Sequence, residues 1–242
     1  RPRPASRARL EALWIAFRTE ISVRPLRSMA LGAELVREAA RPGAPEPARE
    51  AAAFVEALGL VSRRGPEALP RALAILAQAR PPAPAPSAAV TSRFFEGTVR
   101  YFGLDLAGAS AAFDATAELS REHALGHSFG DTLGRALRSA TAWILGDVAH
   151  LASHAPALRA ELDERDHLMA GTLVGMHDAW LRLVEVGSGV AVAERDVLTI
   201  EQRWSSRSLD IQGWWGQMAR SMFAISCASS SERFAEGPVP AV

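Results

Sequence analysis

Wherever apolar residues gather in this chain they step by three and four, and nowhere do they alternate convincingly with polar ones. Leu10, Leu13, Trp14, Phe17 and Ile21 set the pattern. Steps of three and four put side chains on one face of a helix, whereas a half-buried strand needs a period of two. The spacing therefore predicts an all-α chain, a multi-helix bundle of about eight helices. Ser6 is placed to cap the first of them. Pro25 opens a second, carrying Leu26, Met29, Leu31, Leu35 and Val36 and ending at Pro42-Gly43. A third follows Pro47 and stops near Arg64-Gly65, and Pro66 starts a fourth with Leu69, Leu73 and Leu76.

Residues 80–90, RPPAPAPSAAV, are proline-rich and favour an extended connection across the surface. Beyond it, Phe94, Phe95, Val99 and Phe102 make a short amphipathic helix. Residues 107–126 and 130–153 are expected to be helical, continuous or kinked at glycines. Pro156 is expected to begin another helix, with Leu158, Leu162, Met169, Leu173, Met176 and Trp180, broken at Gly187-Ser188-Gly189. In the last helix, about 192–226, Val197, Trp204, Ile211, Met218 and Ile225 are spaced by seven, with Ile200 and Trp214 on a matching stripe. A seven-residue repeat is a seam for another long helix. That helix belongs either to the same bundle or, through Val197, Trp204, Ile211, Trp214 and Met218, to a protein partner or a second copy. The pattern is that of a single helical domain over 6–235, with flexible ends at 1–5 and 236–242.

Composition narrows the function classes. With 27 basic and 27 acidic residues the chain has no net charge, so nothing electrostatic favours nucleic acid. Every basic residue is Arg, which excludes any mechanism that needs a lysine amine. The single Cys227 rules out an internal disulfide and a Cys-based zinc site, and fits a reducing compartment. No run reaches the roughly 18 apolar residues of a membrane-spanning helix. The opening Arg1-Pro2-Arg3-Pro4 is Arg-rich, with Glu11 as the first acid, as in the stub of a cleaved transit peptide or an artificially trimmed start. Cytoplasm and organelle are both open.

The residues that carry chemistry concentrate between Glu118 and His177. All six histidines fall here: His123, His127, His150, His154, His167 and His177. Gly126, Gly130 and Gly134 lie four residues apart, on the helical stripe of His123 and His127. A mid-helix glycine costs on the order of 1 kcal/mol against alanine, so three on one stripe point to a trench where a helix or a flat ligand meets backbone. His123 with His127, and His150 with His154, are pairs one turn apart that can ligate a metal from one helix face. Glu164 and His167 form a Glu-x-x-His, but a di-iron bundle needs two such motifs and two further glutamates. No metal site is assigned, and no complete catalytic constellation is present.

Two resemblances touch this stretch. Ser120-Arg121, His127 and Asp131 fit the third motif of the acid phosphatase and vanadium haloperoxidase superfamily, but the lysine motif and the Pro-Ser-Gly-His it requires are missing. The segment His123-Ala124-Leu125-Gly126-His127-Ser128-Phe129-Gly130-Asp131-Thr132-Leu133-Gly134 resembles the distal helix of heme oxygenases. That resemblance implies a heme-oxygenase-like helical bundle binding haem or a bilin, with His123, His127, Gly126, Gly130, Asp131 and Gly134 around it and Asp131 ordering water. It also implies an iron-ligating histidine in the first helix, where this chain has none and Arg18 lies near the expected place. Three functions are therefore weighed. The first is a helical binding or interaction protein without catalysis of its own, a subunit of a larger assembly. The second is a degenerate heme-oxygenase-like binder of haem or bilin. The third, from the Ala-rich helices and the terminal seam, is an amphipathic coat protein resembling granule-associated phasins.

Overall fold

The computed structural model describes residues 4–21, 24–125 and 129–184, together with Arg195, Thr199 and Ser221 singly. Among the described residues there are nine α-helices, one 3-10 turn and no strand, the all-α multi-helix bundle that the spacing predicts. No described helix is long and apolar enough to cross a membrane. The seam of Val197, Trp204, Ile211, Trp214 and Met218 lies outside the described residues, as do Gly126 and His127.

The chain divides into two compact units, Arg1–Leu145 and Gly146–Val242. The first holds α1 (Arg7–Glu20), α2 (Pro25–Ala39), α3 (Glu46–Arg64), the 3-10 turn Gly65–Ala68, α4 (Leu69–Ala79), α5 (Pro86–Phe102), α6 (Leu106–Glu122) and α7 (Phe129–Leu145). Ser6 caps α1, its hydroxyl accepting from Arg9 N–H at 3.4 Å. Its own N–H donates to Glu38 Oε1 at 3.1 Å, and that bond, with Arg41 at 2.8 Å, holds the buried Glu38 carboxyl below its ordinary pKa despite burial. Gly65 ends α3 at φ +68°, a left-handed conformation that a side chain would strain.

Within the Leu- and Ala-rich core of this unit lies a cluster of aromatic rings. Phe54 of α3 stacks on Phe95 of α5 at 4.2 Å and 9°, and Trp14 of α1 meets Phe95 edge-on at 5.7 Å. Phe94 carries the cluster on to Phe129 at the start of α7, at 5.7 Å and 82°. Glycines let the helices close around these rings. A Cβ on Gly97 of α5 would come within 2.6 Å of the Phe113 ring of α6, and one on Gly32 of α2 within 2.7 Å of Val55. The second unit pairs α8 (Val148–Glu164) with α9 (Leu168–Val184). From α8 it buries Leu151, Ala155, Leu158 and Leu162, one three-four stripe; α9 is buried all round from Ala170 to Ala179.

Four expectations are corrected. The extended stretch is shorter than 80–90, because Pro86, with its fixed φ, starts α5. The helix of 130–153 is interrupted: α7 ends at Leu145, Gly146 turns at φ +70°, and Asp147 starts α8 by accepting from His150 N–H at 3.0 Å. Pro156 does not open a helix but sits inside α8, on an exposed face, and the break comes later, at Asp166 with φ +50°. In α2 the spacing is right for Leu35, with Leu31 and Val36 packed against the core, but it misplaces Leu26 and Met29. Ser28, Gly32, Leu35, Glu38 and Ala39 are buried, while Leu26 and Met29 point to solvent.

One buried acid, Glu50, has no ion pair among the described residues. Glu50 of α3 is enclosed beneath Ser92 of α5, whose hydroxyl donates to its carboxylate. Burial raises its pKa, and the Ser92 bond and the nearby charge of Arg80 offset this only in part. A raised folded pKa means that the folded state binds more protons, so stability falls as pH rises from the ordinary carboxyl value of 4.5 through the folded one. Glu50→Gln keeps a partner for Ser92 and removes the charge. It should raise the thermal midpoint at pH 7 and leave it unchanged near pH 3; an equal gain at both would contradict the assignment. For the helix contacts, Gly97→Ala should lower stability by a net ~1–2 kcal/mol. Gly59→Ala, with nothing within 4 Å of its Cβ position, should raise it by about 0.5–1 kcal/mol. Denaturant melts of the two variants decide both.

Candidate functional site

The stripe of glycines and histidines does not lie on one helix. α6 ends at Glu122, His123 follows as its C-cap, and Ala124 adopts φ +47°. His123 is therefore exposed at the end of α6, while Gly130, Asp131 and Gly134 belong to α7 and are buried. A continuous three-four pattern hid the break because no proline or glycine marks residues 123–125. Gly130 and Gly134 face the same way, one turn apart. A Cβ on Gly130 would lie 3.4 Å from Phe94, and one on Gly134 3.6 Å from Thr116 and 3.7 Å from Phe113. Side chains of α5 and α6 thus meet both glycine faces at ordinary packing distance. Asp131 sits in the first turn of α7, where the helix dipole favours a carboxylate.

α1 reaches the same place. Trp14 and Arg18 are one turn apart, and the Arg18 guanidinium lies over the Phe129 ring at 4.6 Å and over Trp14 at 5.5 Å. Its Nε is buried without a hydrogen-bond acceptor, and no carboxylate of the described residues pairs with it. Burial lowers its pKa, but an arginine stays charged. Such cation–π contacts contribute roughly 0.5–2 kcal/mol each. The structure thus joins Arg18 to the start of α7, with Trp14 and Phe129 as its aromatic seat. These two rings escape the sequence argument, although the i,i+4 spacing of Trp14 and Arg18 was there to find.

The remaining described histidines belong to the second unit. His150 and His154 stack on α8 with ring centroids 4.3 Å apart. His167 precedes α9, its Nδ1 accepting from Ala170 N–H at 3.4 Å. Glu164 ends α8, so Glu-x-x-His spans a helix break and is not one helical face. His177 is buried in α9, which drives its pKa down to about 3 and keeps it neutral. Among the described residues no group of three His, Cys, Asp or Glu side chains is gathered that could hold a metal.

The packing at Gly130 has a measurable consequence. Gly130→Leu should cost about 1–3 kcal/mol by overpacking against Phe94, whereas Gly134→Ala should be tolerated or gain up to about 1 kcal/mol of helix propensity. Equal stability of Gly130→Leu and the parent chain in thermal melts would show that this face is open. Comparison of the chain with protein-family models, with curated proteins and with solved structures finds no match.

Proposed function

We propose that this chain is a binding or interaction protein without catalysis of its own, acting within an assembly, and that the outward face of α2 is its contact surface. The observation that carries this reading is the exposure of two large apolar side chains on α2, outside the Leu35 face that packs on the core. The helix buries Ser28, Gly32 and Glu38 while exposing Leu26 by 82% and Met29 by 60%. Leu26, Met29, Ala30 and Ala33 follow one another at i, i+3, i+4 and i+7, all exposed, and form a seam. A seam whose centre is alanine lets a second helix come close.

A second copy of the same face is the occupant that the charges favour. Arg27 and Glu34 flank the seam on one side, either side of Ala30. In an antiparallel, two-fold pairing about that point, each Arg27 faces the other copy's Glu34, as a self-complementary contact requires. Within the chain they also pair with Glu20 at 3.4 Å and Arg9 at 3.0 Å, yet both stay substantially exposed.

A haem or bilin binder of the heme-oxygenase kind is the weaker reading. Phe94, Phe113 and Thr116 occupy the glycine faces, and a guanidinium stands near where the resemblance calls for an iron-ligating imidazole. The described residues do not fit haem held in that manner. The purified protein incubated with haemin should therefore show no Soret band shifted from that of free haemin, and a shifted band would favour the haem reading.

The test is light scattering on the eluting protein across a hundredfold range of concentration. The parent chain should dimerise, and Leu26→Glu combined with Met29→Glu should be monomeric with a thermal midpoint little changed, since both side chains are exposed. Arg27→Glu should weaken the dimer and Arg27→Glu with Glu34→Arg restore it. A parent chain that stays monomeric throughout, or a double variant that still pairs, would sink the proposal.

A further inference from the structure

The register of the helices brings several of their termini together at one end of the first unit. α3 and α5 run parallel, with Ser92 at Glu50 and Phe95 on Phe54, so they end side by side. Arg138 of α7 reaches Asp114 of α6 at 3.0 Å and Gly134 faces Thr116, an antiparallel register that sets Leu145 level with the start of α6. Leu69, at the start of α4, meets Gly103 just after α5. The last turns of α3, α5 and α7 and the first turns of α4 and α6 therefore share this end. Phe102, Leu104, Ile144 and Leu145 are exposed on it, Leu104 by 67% and Leu145 by 53%. Arg63, Arg64 and Arg71 are exposed there too, and among the described residues none of them has a carboxylate partner. Of the acids nearby in the chain, Asp105 is paired with Arg100 at 2.6 Å and Asp147 caps α8, which leaves Glu67 against three arginines. The chain has no net charge, but this end is positive.

Leu104 adds a second observation. Asp105 N–H donates to the Arg100 carbonyl at 2.9 Å and Leu104 N–H to the Tyr101 carbonyl at 3.1 Å, the pair of bonds that closes a helix around one left-handed residue. Glycine takes that conformation after α3 and α7, at Gly65 and Gly146. After α5 it is Leu104, at φ +62°, with its side chain in water. Neither the strain nor the exposure helps the chain fold, and a contact outside the chain accounts for both. We propose that this end of the first unit docks on a membrane surface that carries anionic lipid headgroups, without crossing the membrane. The apolar side chains project from separate helix ends and the turn after α5, not along one helical face. A lipid interface accepts such side chains singly, whereas a protein face needs matching shape. Phe102, Leu104, Ile144 and Leu145 enter the boundary of the acyl chains, and the guanidinium forks of Arg63, Arg64 and Arg71 take the headgroup phosphates. The inference is independent of the α2 seam.

The experiment sediments the full chain with vesicles of phosphatidylcholine, alone or mixed in equal parts with phosphatidylserine. Binding should be at least tenfold tighter to the mixed vesicles and should weaken as salt rises, because the surface attraction is screened. Leu104→Gly should raise the thermal midpoint by relieving the left-handed strain, yet weaken vesicle binding at least threefold. Arg63→Glu combined with Arg64→Glu and Arg71→Glu should abolish the preference for phosphatidylserine, with the circular dichroism of the helices unchanged. Arg121→Glu, at the other end of α6, should change nothing. Absence of binding to the mixed vesicles, or binding that Leu104→Gly or the arginine reversals leave unchanged, would overturn the proposal. So would a chain that binds no vesicle but whose oligomeric state changes with these substitutions in light scattering, which assigns this end to a protein contact.

Discussion

The first unit depends on one contact, the stack of Phe54 on Phe95. It joins α3 to α5, and Trp14 closes on its edge from α1, so three helices share one buried group of rings. Aromatic pairs at this separation add about 0.5–1.5 kcal/mol beyond the area they bury. Large flat rings also demand room beside them, which explains where the glycines fall. Gly97 accepts the edge of Phe113, Gly32 accepts Val55 and Phe17, and Gly130 lies against Phe94. Each glycine gives up helix propensity where a ring or branched side chain comes closest.

Around this core, charge is organised by arginine alone. Glu96 of α5 receives Arg80 at 3.1 Å, Arg93 at 3.0 Å and Arg100 at 3.0 Å, and Arg100 continues to Asp105, the cap of α6, at 2.6 Å. Burial by itself would raise the Glu96 carboxyl, but the bonds from Arg80 and Arg100 outweigh it and bring the pKa below the ordinary value. In the second unit Asp178 takes Arg159 at 2.9 Å and Arg182 at 3.1 Å. Planar forks allow several cations to converge on one carboxylate. The connection from α4 into α5 is thereby tied down by Arg80, although its residues 81–84 lie outside any helix.

Helix starts and stops were legible where a local group does the work. Ser6, Pro25 and Gly65 act on their own neighbours, so their meaning does not wait for the fold. Asp147 acts just as locally, but an aspartate cap inside a polar stretch looks no different from a surface acid. Pro156 misleads for the opposite reason: an exposed helical position tolerates the loss of one hydrogen bond when the rest of α8 is packed. On α2, Leu35 was legible as core, but the burial of Gly32 was not, because Phe17 and Val55 on other helices come close to it. Hydrophobicity ranks Leu26 above Gly32; close approach reverses the order.

The same reversal governs the candidate site. A stripe of glycines reports how closely something approaches, not what approaches, and a planar ligand and a phenylalanine ring make the same demand on backbone. The identity of the neighbour comes from elsewhere in the chain, here from Phe94 and Phe113, many residues upstream. Arg18 follows from that choice. With rings filling the space beside α7, a cation from α1 can stand there only if it is weakly hydrated and flat enough to lie on them, which a guanidinium is and an ammonium is not. Unlike Arg80 or Arg100 it has no carboxylate among the described residues to balance its burial, and its guanidinium rests on Phe129 and Trp14. An imidazole in its place would be shorter and, buried against the same rings, driven toward the neutral form as His177 is.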